Sequence, residues 1–252
     1  MKNISIRFYE ELNDFLPEGK RKVRFDHKFR DRLSVKDLIE SLGVPHTEVD
    51  LILINGKSVN FECIVTDGDD ISVYPVFESF DIAGVQHLRP EPLRNLKFVL
   101  DVHLGKLAKY MRMLGLDTAY ENNYRDEEIV KISLDEKRAI LTKDLGILKR
   151  KEVTHGYWIR NINVEKQVAE VIDRFDLRNE LNQLTRCLKC NGMLEEIEKE
   201  KIVDKIPPKV KKYQDEYFIC RDCGKVYWPG SHYERMTEFI GGILGTRLKD
   251  GN

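Results

Sequence analysis

Two cysteine pairs of identical spacing, Cys187-Leu-Lys-Cys190 and Cys220-Arg-Asp-Cys223, stand in the last third of the chain and fix the chemistry of that region before any secondary structure is assigned. Together they read C-x2-C-x29-C-x2-C: two chelating turns whose four thiolates match a closed, tetrahedral structural zinc site, with a hairpin to fill the spacer. With sulfur at every position no place is left for water, so the expected ion folds its unit and performs no reaction. The competing reading, four unrelated buried thiols, leaves the pairing without a cause. The fifth cysteine, Cys63 in Phe61-Glu-Cys-Ile-Val65, reads as an apolar strand residue, with no basic neighbour in sequence to activate it.

At 252 residues the chain exceeds one typical domain, and two or three units are expected. A formal net charge of −1 with 34% charged residues describes a soluble protein without an overall pull toward nucleic acid or acidic membranes. An anionic substrate must therefore be met by a local patch. No apolar run approaches the roughly 18 residues of a membrane-spanning helix. The opening residues Met1 to Phe8 alternate like a strand instead of forming a signal-peptide core. A cytoplasmic protein with no membrane partner is the expectation.

Residues 1–78 carry strand signals at Ile4–Phe8, Lys22–Phe25, Leu51–Ile54 and Ile71–Val76, with turns at Asn55-Gly56 and Asp67-Gly68. A helix fits Ser34–Leu42, with Ser34 as N-cap and Val35, Leu38, Ile39 and Leu42 on one face. This is a small α+β sheet crossed by one helix. Residues 79–96, with Gly84, Pro90 and Pro92, read as a linker. Residues 97–180 alternate: strand Phe98–Leu100, helix His103–Leu114, strand Thr118–Tyr120, helix Asp126–Glu136, strand Ala139–Thr142, a short helix after Asp144, strand Tyr157–Arg160 and helix Val164–Phe175. Such alternation predicts an α/β unit with a parallel sheet flanked by helices, whose ligands bind beyond the carboxyl ends of the strands. The paired cysteines organise residues 181–240, and 241–252 form a tail.

Asp101, Asp126 and Asp144 each fall at or shortly after the end of a predicted strand. Carboxylates gathered in one confined site repel one another unless divalent cations bind or some acids hold protons. Magnesium or manganese suits such oxygen ligands and supports hydrolytic phosphoryl transfer. Each acid also has a plainer role available. Asp126, with Glu127 and Glu128, can offset a helix dipole, and Asp144 can cap the helix after it. Asp101, behind a buried apolar strand, is harder to explain away. On the following helix Lys106, Lys109 and Arg112 recur every third residue and are candidates for phosphate contact, as is Lys143 beside Asp144; a solvated cationic stripe is the alternative. The ribbon spacer mixes lysines and aromatic residues that suit single-stranded RNA with enough glutamates to make an ordinary solvated hairpin. Tyr227, Trp228 and His232, after the last cysteine, can stack on a base or assist at a phosphate. Packing is the alternative for Trp228.

Two resemblances sharpen these expectations. Ile54-Asn-Gly-Lys-Ser-Val59 with Asp67-Gly-Asp-Asp-Ile-Ser-Val-Tyr-Pro75 resembles the ubiquitin-like β-grasp of sulfur-carrier proteins. Those carriers end in a free Gly-Gly, whereas this chain continues through Phe77-Glu-Ser-Phe-Asp81, so sulfur transfer is not expected. The sequence Asp101-Val-His-Leu-Gly-Lys-Leu-Ala-Lys-Tyr-Met-Arg-Met-Leu-Gly115, then Asp126-Glu-Glu-Ile129, Ile140-Leu-Thr-Lys-Asp144, Arg186-Cys-Leu-Lys-Cys-Asn191 and Tyr227-Trp-Pro-Gly-Ser-His232 resembles the Mut-seven C-terminal ribonuclease family. The resemblance implies a PIN-like nuclease core joined to a zinc ribbon, here behind a β-grasp domain. It implies a magnesium- or manganese-dependent ribonuclease in which Asp101, Asp126 and Asp144 are catalytic acids on the metal and Glu127 or Glu128, here taken as Glu128, is a further ligand. Zinc then sits on Cys187, Cys190, Cys220 and Cys223, and Lys106, Arg112, Lys143 and His232 meet RNA, single-stranded or structured. The β-grasp domain is left for a protein partner. Where many such nucleases carry a further acid after the fourth strand, this chain has Asn161 and Asn163. That leaves open an RNA- or ribosome-binding protein that no longer cuts.

Overall fold

The structure, a computed structural model, describes residues 1–75, 88, 96–230, 233–234, 237–239 and 241–242. They fall into two compact units, one drawn from Met1–Asn95 and Asp126–Trp158, the other from Leu96–Arg125 and Ile159–Asn252. Among the described residues no helix is long and apolar enough to cross a membrane.

The first unit begins with the β-grasp. Strand β1 (Lys2–Phe8) alternates, with Ile4, Ile6 and Phe8 buried, and pairs antiparallel with β2 (Phe25–Phe29). Helix α1 (Val35–Ser41) starts at Ser34, whose hydroxyl accepts the Asp37 N–H at 3.1 Å and so satisfies one of the helix's unpaired first-turn donors. The face it buries, Val35, Leu38 and Ile39, is fully excluded from solvent, and each such side chain contributes about 1.5–3 kcal/mol. Strands β3 (Val49–Ile54), β4 (Lys57–Ser58) and β5 (Asp70–Pro75) complete the sheet in the order β2-β1-β5-β3-β4, with β1 and β5 parallel.

Two of these strands depart from expectation. The strand read at Lys22–Phe25 begins at Phe25, because Lys22 has φ 58° and gives its N–H to Asn13 Oδ1 at 2.6 Å, a turn that extended pairing cannot contain. Strand β4 was not anticipated. It follows Asn55 (φ 51°) and Gly56 (φ 76°), the left-handed pair of a two-residue hairpin.

The chain continues with β6 (Phe98–Leu100), α2 (Gly105–Met113), β7 (Thr118–Ala119), α3 (Asp126–Glu136), β8 (Ala139–Thr142), α4 (Leu145–Leu148), β9 (Gly156–Trp158) and α5 (Val164–Arg174). The strand pairs are parallel, β6 with β7 in the second unit and β8 with β9 in the first, and the buried residues of β6, β7 and β8 are apolar or Thr. Last come β10 (Leu194–Glu196), α6 (Pro208–Tyr213), β11 (Phe218–Cys220) and β12 (Val226–Tyr227), with β10-β11-β12 antiparallel as in a zinc ribbon. A satellite core of Ile202, Ile206 and Tyr217 fills the spacer. The expected linker 79–96 and tail 241–252 lie outside the described residues except for Leu88, Leu96, Gly241 and Gly242.

Inside the first unit the β-grasp is bonded to the segment 126–158. His46 holds Glu40 Oε1 through Nδ1 at 2.6 Å and the Val153 carbonyl through Nε2 at 2.7 Å. Buried Glu48 accepts the Trp158 N–H at 2.7 Å, and the Phe15 and Trp158 rings meet at 5.3 Å. Replacement of His46 by Ala leaves a buried carbonyl without its donor and is expected to cost about 1–3 kcal/mol, read as a lower urea midpoint of the full chain. An unchanged midpoint would show that this bond adds nothing to stability.

Candidate functional site

The two C-x2-C turns are built alike. The residue after each second cysteine is left-handed, Asn191 at φ 69° and Gly224 at φ 66°. Each donates its N–H back to the carbonyl of the first cysteine, Asn191 to Cys187 at 2.9 Å and Gly224 to Cys220 at 3.0 Å. Asn and Gly are the residues that accept this conformation at least cost. The turns face one another so that Cys187 Sγ lies 3.6 Å from Cys223 Sγ and Cys190 Sγ 3.4 Å from Cys220 Sγ. All four sulfurs are within 4.8 Å of each other. A disulfide requires about 2.05 Å, whereas four thiolates on a tetrahedral ion with bonds of about 2.3 Å stand about 3.8 Å apart. The cluster therefore fits a shared ion of zinc's size, and four free cysteines are what such a site needs. Gly192 leaves room for it: a Cβ there would collide with the Asp222 carboxylate and come 3.0 Å from Cys220 Sγ.

The thiols differ. Burial raises Cys187, but the Tyr227 hydroxyl at 3.1 Å and the N–H groups of Cys190 and Lys189 outweigh it and bring the thiol down to about 6. Burial pushes Cys190 up to about 12 and raises Cys220 as well. Burial, together with neighbouring Cys187, raises the Tyr227 phenol, which stays a hydroxyl donor to sulfur.

A buried arginine anchors the first turn. Arg112 on α2 is 4% exposed, and its Nε donates to the Thr118 carbonyl at 2.9 Å and its Nη2 to the Tyr120 carbonyl at 3.1 Å. Its Nη1 reaches the carbonyls of Leu188 (3.3 Å) and Lys189 (2.8 Å), the two residues between the first cysteines. Burial lowers the guanidinium's pKa, and the Glu121 carboxylate with the Cys187 and Cys190 thiolates opposes that shift. Beside it Asn191 accepts the Thr118 N–H at 2.9 Å and donates to Asp117 Oδ1 at 2.7 Å, while Arg186 pairs with Asp117 at 3.1 Å. This corrects the expectation that Arg112 meets phosphate: its N–H groups face inward to carbonyls. Arg112 and Asp117 thus act as supports that residue spacing did not single out, although the Arg–Cys…Cys–Asn motif does contain Asn191.

Among the described residues the cysteines are the group of ligating side chains that comes together. The expected acids are placed as follows. Asp101 in the second unit ends fully buried β6, is 3% exposed and accepts the His103 N–H on Oδ1 at 2.7 Å. In the first unit Asp126 opens α3, with Arg150 Nη2 at 3.5 Å from it and 3.2 Å from Glu127. Asp144 is exposed and caps α4, taking the Gly146 N–H at 2.7 Å, so its plainer role is present. Glu128 and Lys106 are exposed, Lys143 is half-buried, and His232 lies outside the described residues. After β9, Asn163 caps α5 and Asn161 is held by Glu170 at 2.7 Å.

Residues 96–240 match the family profile described as the Mut7-C RNAse domain, and residues 1–81 match the one described as Mut7-C ubiquitin. Among solved structures, SAMP1 from Haloferax volcanii is 14% identical over 31% of this chain and 99% of that one, with a TM-score of 0.25 that carries no argument. No curated protein matches the chain.

The metal centre makes two linked demands. Zinc displaces thiol protons, so its affinity in competition with a chelator should fall as pH is lowered, and Cys190→Ser should abolish tight binding of about one ion per chain. Arg112→Lys, which cannot span four carbonyls, should lower stability by about 3 kcal/mol even with metal bound. Wild-type denaturation by that variant would sink the anchoring role.

Proposed function

Because the chain belongs to the Mut7-C RNAse domain family, we propose that it hydrolyses RNA phosphodiester bonds with Asp101, Asp126 and Asp144 converging on a divalent cation. The observation that carries this reading is Asp101, a carboxylate nearly sealed from water behind a strand whose residues are wholly buried. Buried carboxylates are met by donors or by a cation. Carboxylate oxygens are the donors magnesium and manganese prefer. When bound, the cation supplies charge stabilisation at the phosphate and a more acidic water.

The chain's own groups prepare that site. The His103 and Gly146 N–H groups hold the Asp101 and Asp144 carboxylates in fixed orientations through one oxygen each. Arg150 beside Asp126 relieves repulsion among the acids at the start of α3, and Glu128 adds a further carboxylate there. Lys106 and Lys143 oppose the negative phosphate oxygens of the substrate. The four cysteines hold zinc and shape the ribbon without taking part in bond cleavage.

A second reading, RNA binding without cleavage, has its own support. Where a fourth acid would stand, the Asn161 and Asn163 side chains are engaged locally, with Glu170 and with the Glu165 and Lys166 N–H groups. The two readings part in one assay. Asn caps a helix as well as Asp, so Asp144→Asn keeps the fold, and it should cut manganese-dependent cleavage of labelled RNA by at least about a hundredfold; Asp101→Asn should do the same. Cleavage at wild-type rate by both variants would discard these acids, and no cleavage by wild type would favour the second reading.

A further inference from the structure

A cavity of about 620 Å³ opens in the second unit between α2 and the metal-bearing turns. Its size lies within the roughly 300–1,000 Å³ typical of small-ligand sites. Its inner wall is apolar, with Met113, Leu184, Leu188 and Leu194, and none of its described lining residues is acidic. Lys109 from α2, Lys189 from the first cysteine turn and Lys225 beside the second are exposed residues along it. Arg186 is already paired with Asp117, so these lysines carry the cavity's remaining positive charge.

Tyr227, Trp228 and Tyr233 supply its aromatic side. Tyr227 is fixed by its hydroxyl on Cys187 Sγ and carries Lys225 over its ring at 5.6 Å. Trp228 packs on the Ile202, Ile206 and Tyr217 cluster yet also lines the cavity, so packing accounts for part of its surface only. Gly230 keeps the indole edge clear: a Cβ there would press to 3.0 Å from Trp228 Nε1.

An apolar, aromatic wall with a cationic margin and no carboxylate describes a ligand with a flat π-face and an attached anion. We infer that this cavity receives an unstacked base of single-stranded RNA, with its adjoining phosphates on Lys109, Lys189 and Lys225. A base inside a duplex is stacked and paired and cannot enter such a recess, whereas a splayed single-strand base stacks on aromatic rings. The choice of RNA rests on the nuclease reading above; the pocket's lining includes none of the proposed acids.

The test uses the full, zinc-loaded chain and an end-labelled oligouridylate without added divalent ions, followed by fluorescence anisotropy. Lys189→Glu and Lys225→Glu, both at exposed positions, should weaken binding about tenfold each and reduce the salt slope by about 0.7 for each lysine removed. Trp228→Ala should weaken it about tenfold, and Trp228→Phe should restore most of the loss. In a Trp158→Phe background, where Trp228 is the remaining indole, binding should quench tryptophan emission. The same oligonucleotide annealed into a duplex should bind more weakly.

Lysine variants that retain zinc and bind like wild type would overturn the inference, as would absent quenching, equal affinity for the duplex, or no RNA binding at all. Cleavage with manganese is followed in parallel. Wild-type cleavage with pocket-independent binding would remove the pocket and leave the nuclease reading, and pocket-dependent binding without cleavage would do the reverse.

Discussion

One buried guanidinium ties the metal centre to the parallel-sheet elements of its unit. Arginine brings five N–H donors and a charge it does not shed, so sealing it inside a protein is unfavourable unless those donors are met. Arg112 meets them with carbonyls from two places, Thr118 and Tyr120 at β7 and Leu188 and Lys189 in the first cysteine turn. Satisfying one side chain therefore requires both pieces of backbone to be in place. The turn is shaped by its own backbone bond from Asn191 to Cys187 and β7 by its sheet partner β6, and Arg112 makes each a condition of the other. Asn191 repeats the coupling: it bonds Thr118 and Asp117 from a left-handed position that exists because the chain has just turned around the metal.

Why that arginine was misplaced from sequence is a matter of helical geometry. Lys106, Lys109 and Arg112 look like one stripe, but a helix advances about 100° per residue, so each step of three slips back by about 60°. By Arg112 the accumulated slip, about 120°, has carried the side chain round to the side where Ala108 and Met111 are buried. By contrast α3 and β8 have the bounds expected, Asp126–Glu136 and Ala139–Thr142, since their apolar patterns are set by neighbours in the same segment. The strand expected from Lys22 starts later, at Phe25, for the opposite reason: the turn at Lys22 is held by Asn13, nine residues back, and no local pattern reports it. The cysteine cluster was legible because chelation imposes spacing directly on the sequence. The proposed meeting of three acids imposes no such spacing, because it depends on where strands end in space.

The acids show how a plain role and a chemical one occupy the same side chain. Asp101 and Asp144 each take an N–H two residues ahead, the same small turn after a parallel strand. A carboxylate has two oxygens and about four lone-pair sites, so a capping bond takes up one of several acceptor positions while fixing the plane of the group. Capping is then a means of presenting an oxygen in a set direction, and finding a cap does not weigh against a ligand.

The cysteine turns and the surface proposed to meet RNA share residues in a similar way. Tyr227 donates to Cys187 Sγ from one end and lines the cavity with its ring, and Lys189 lies between two cysteines while bordering the same space. The cysteine cluster thereby sets the positions of the aromatic and the cationic sides of the recess at once. Rigid presentation matters for a single strand, because the ligand arrives flexible and loses that freedom on binding; a wall that is already ordered adds no second entropic cost. On this view the four thiolates serve base binding without touching the RNA, since the shape they hold is what a base would meet.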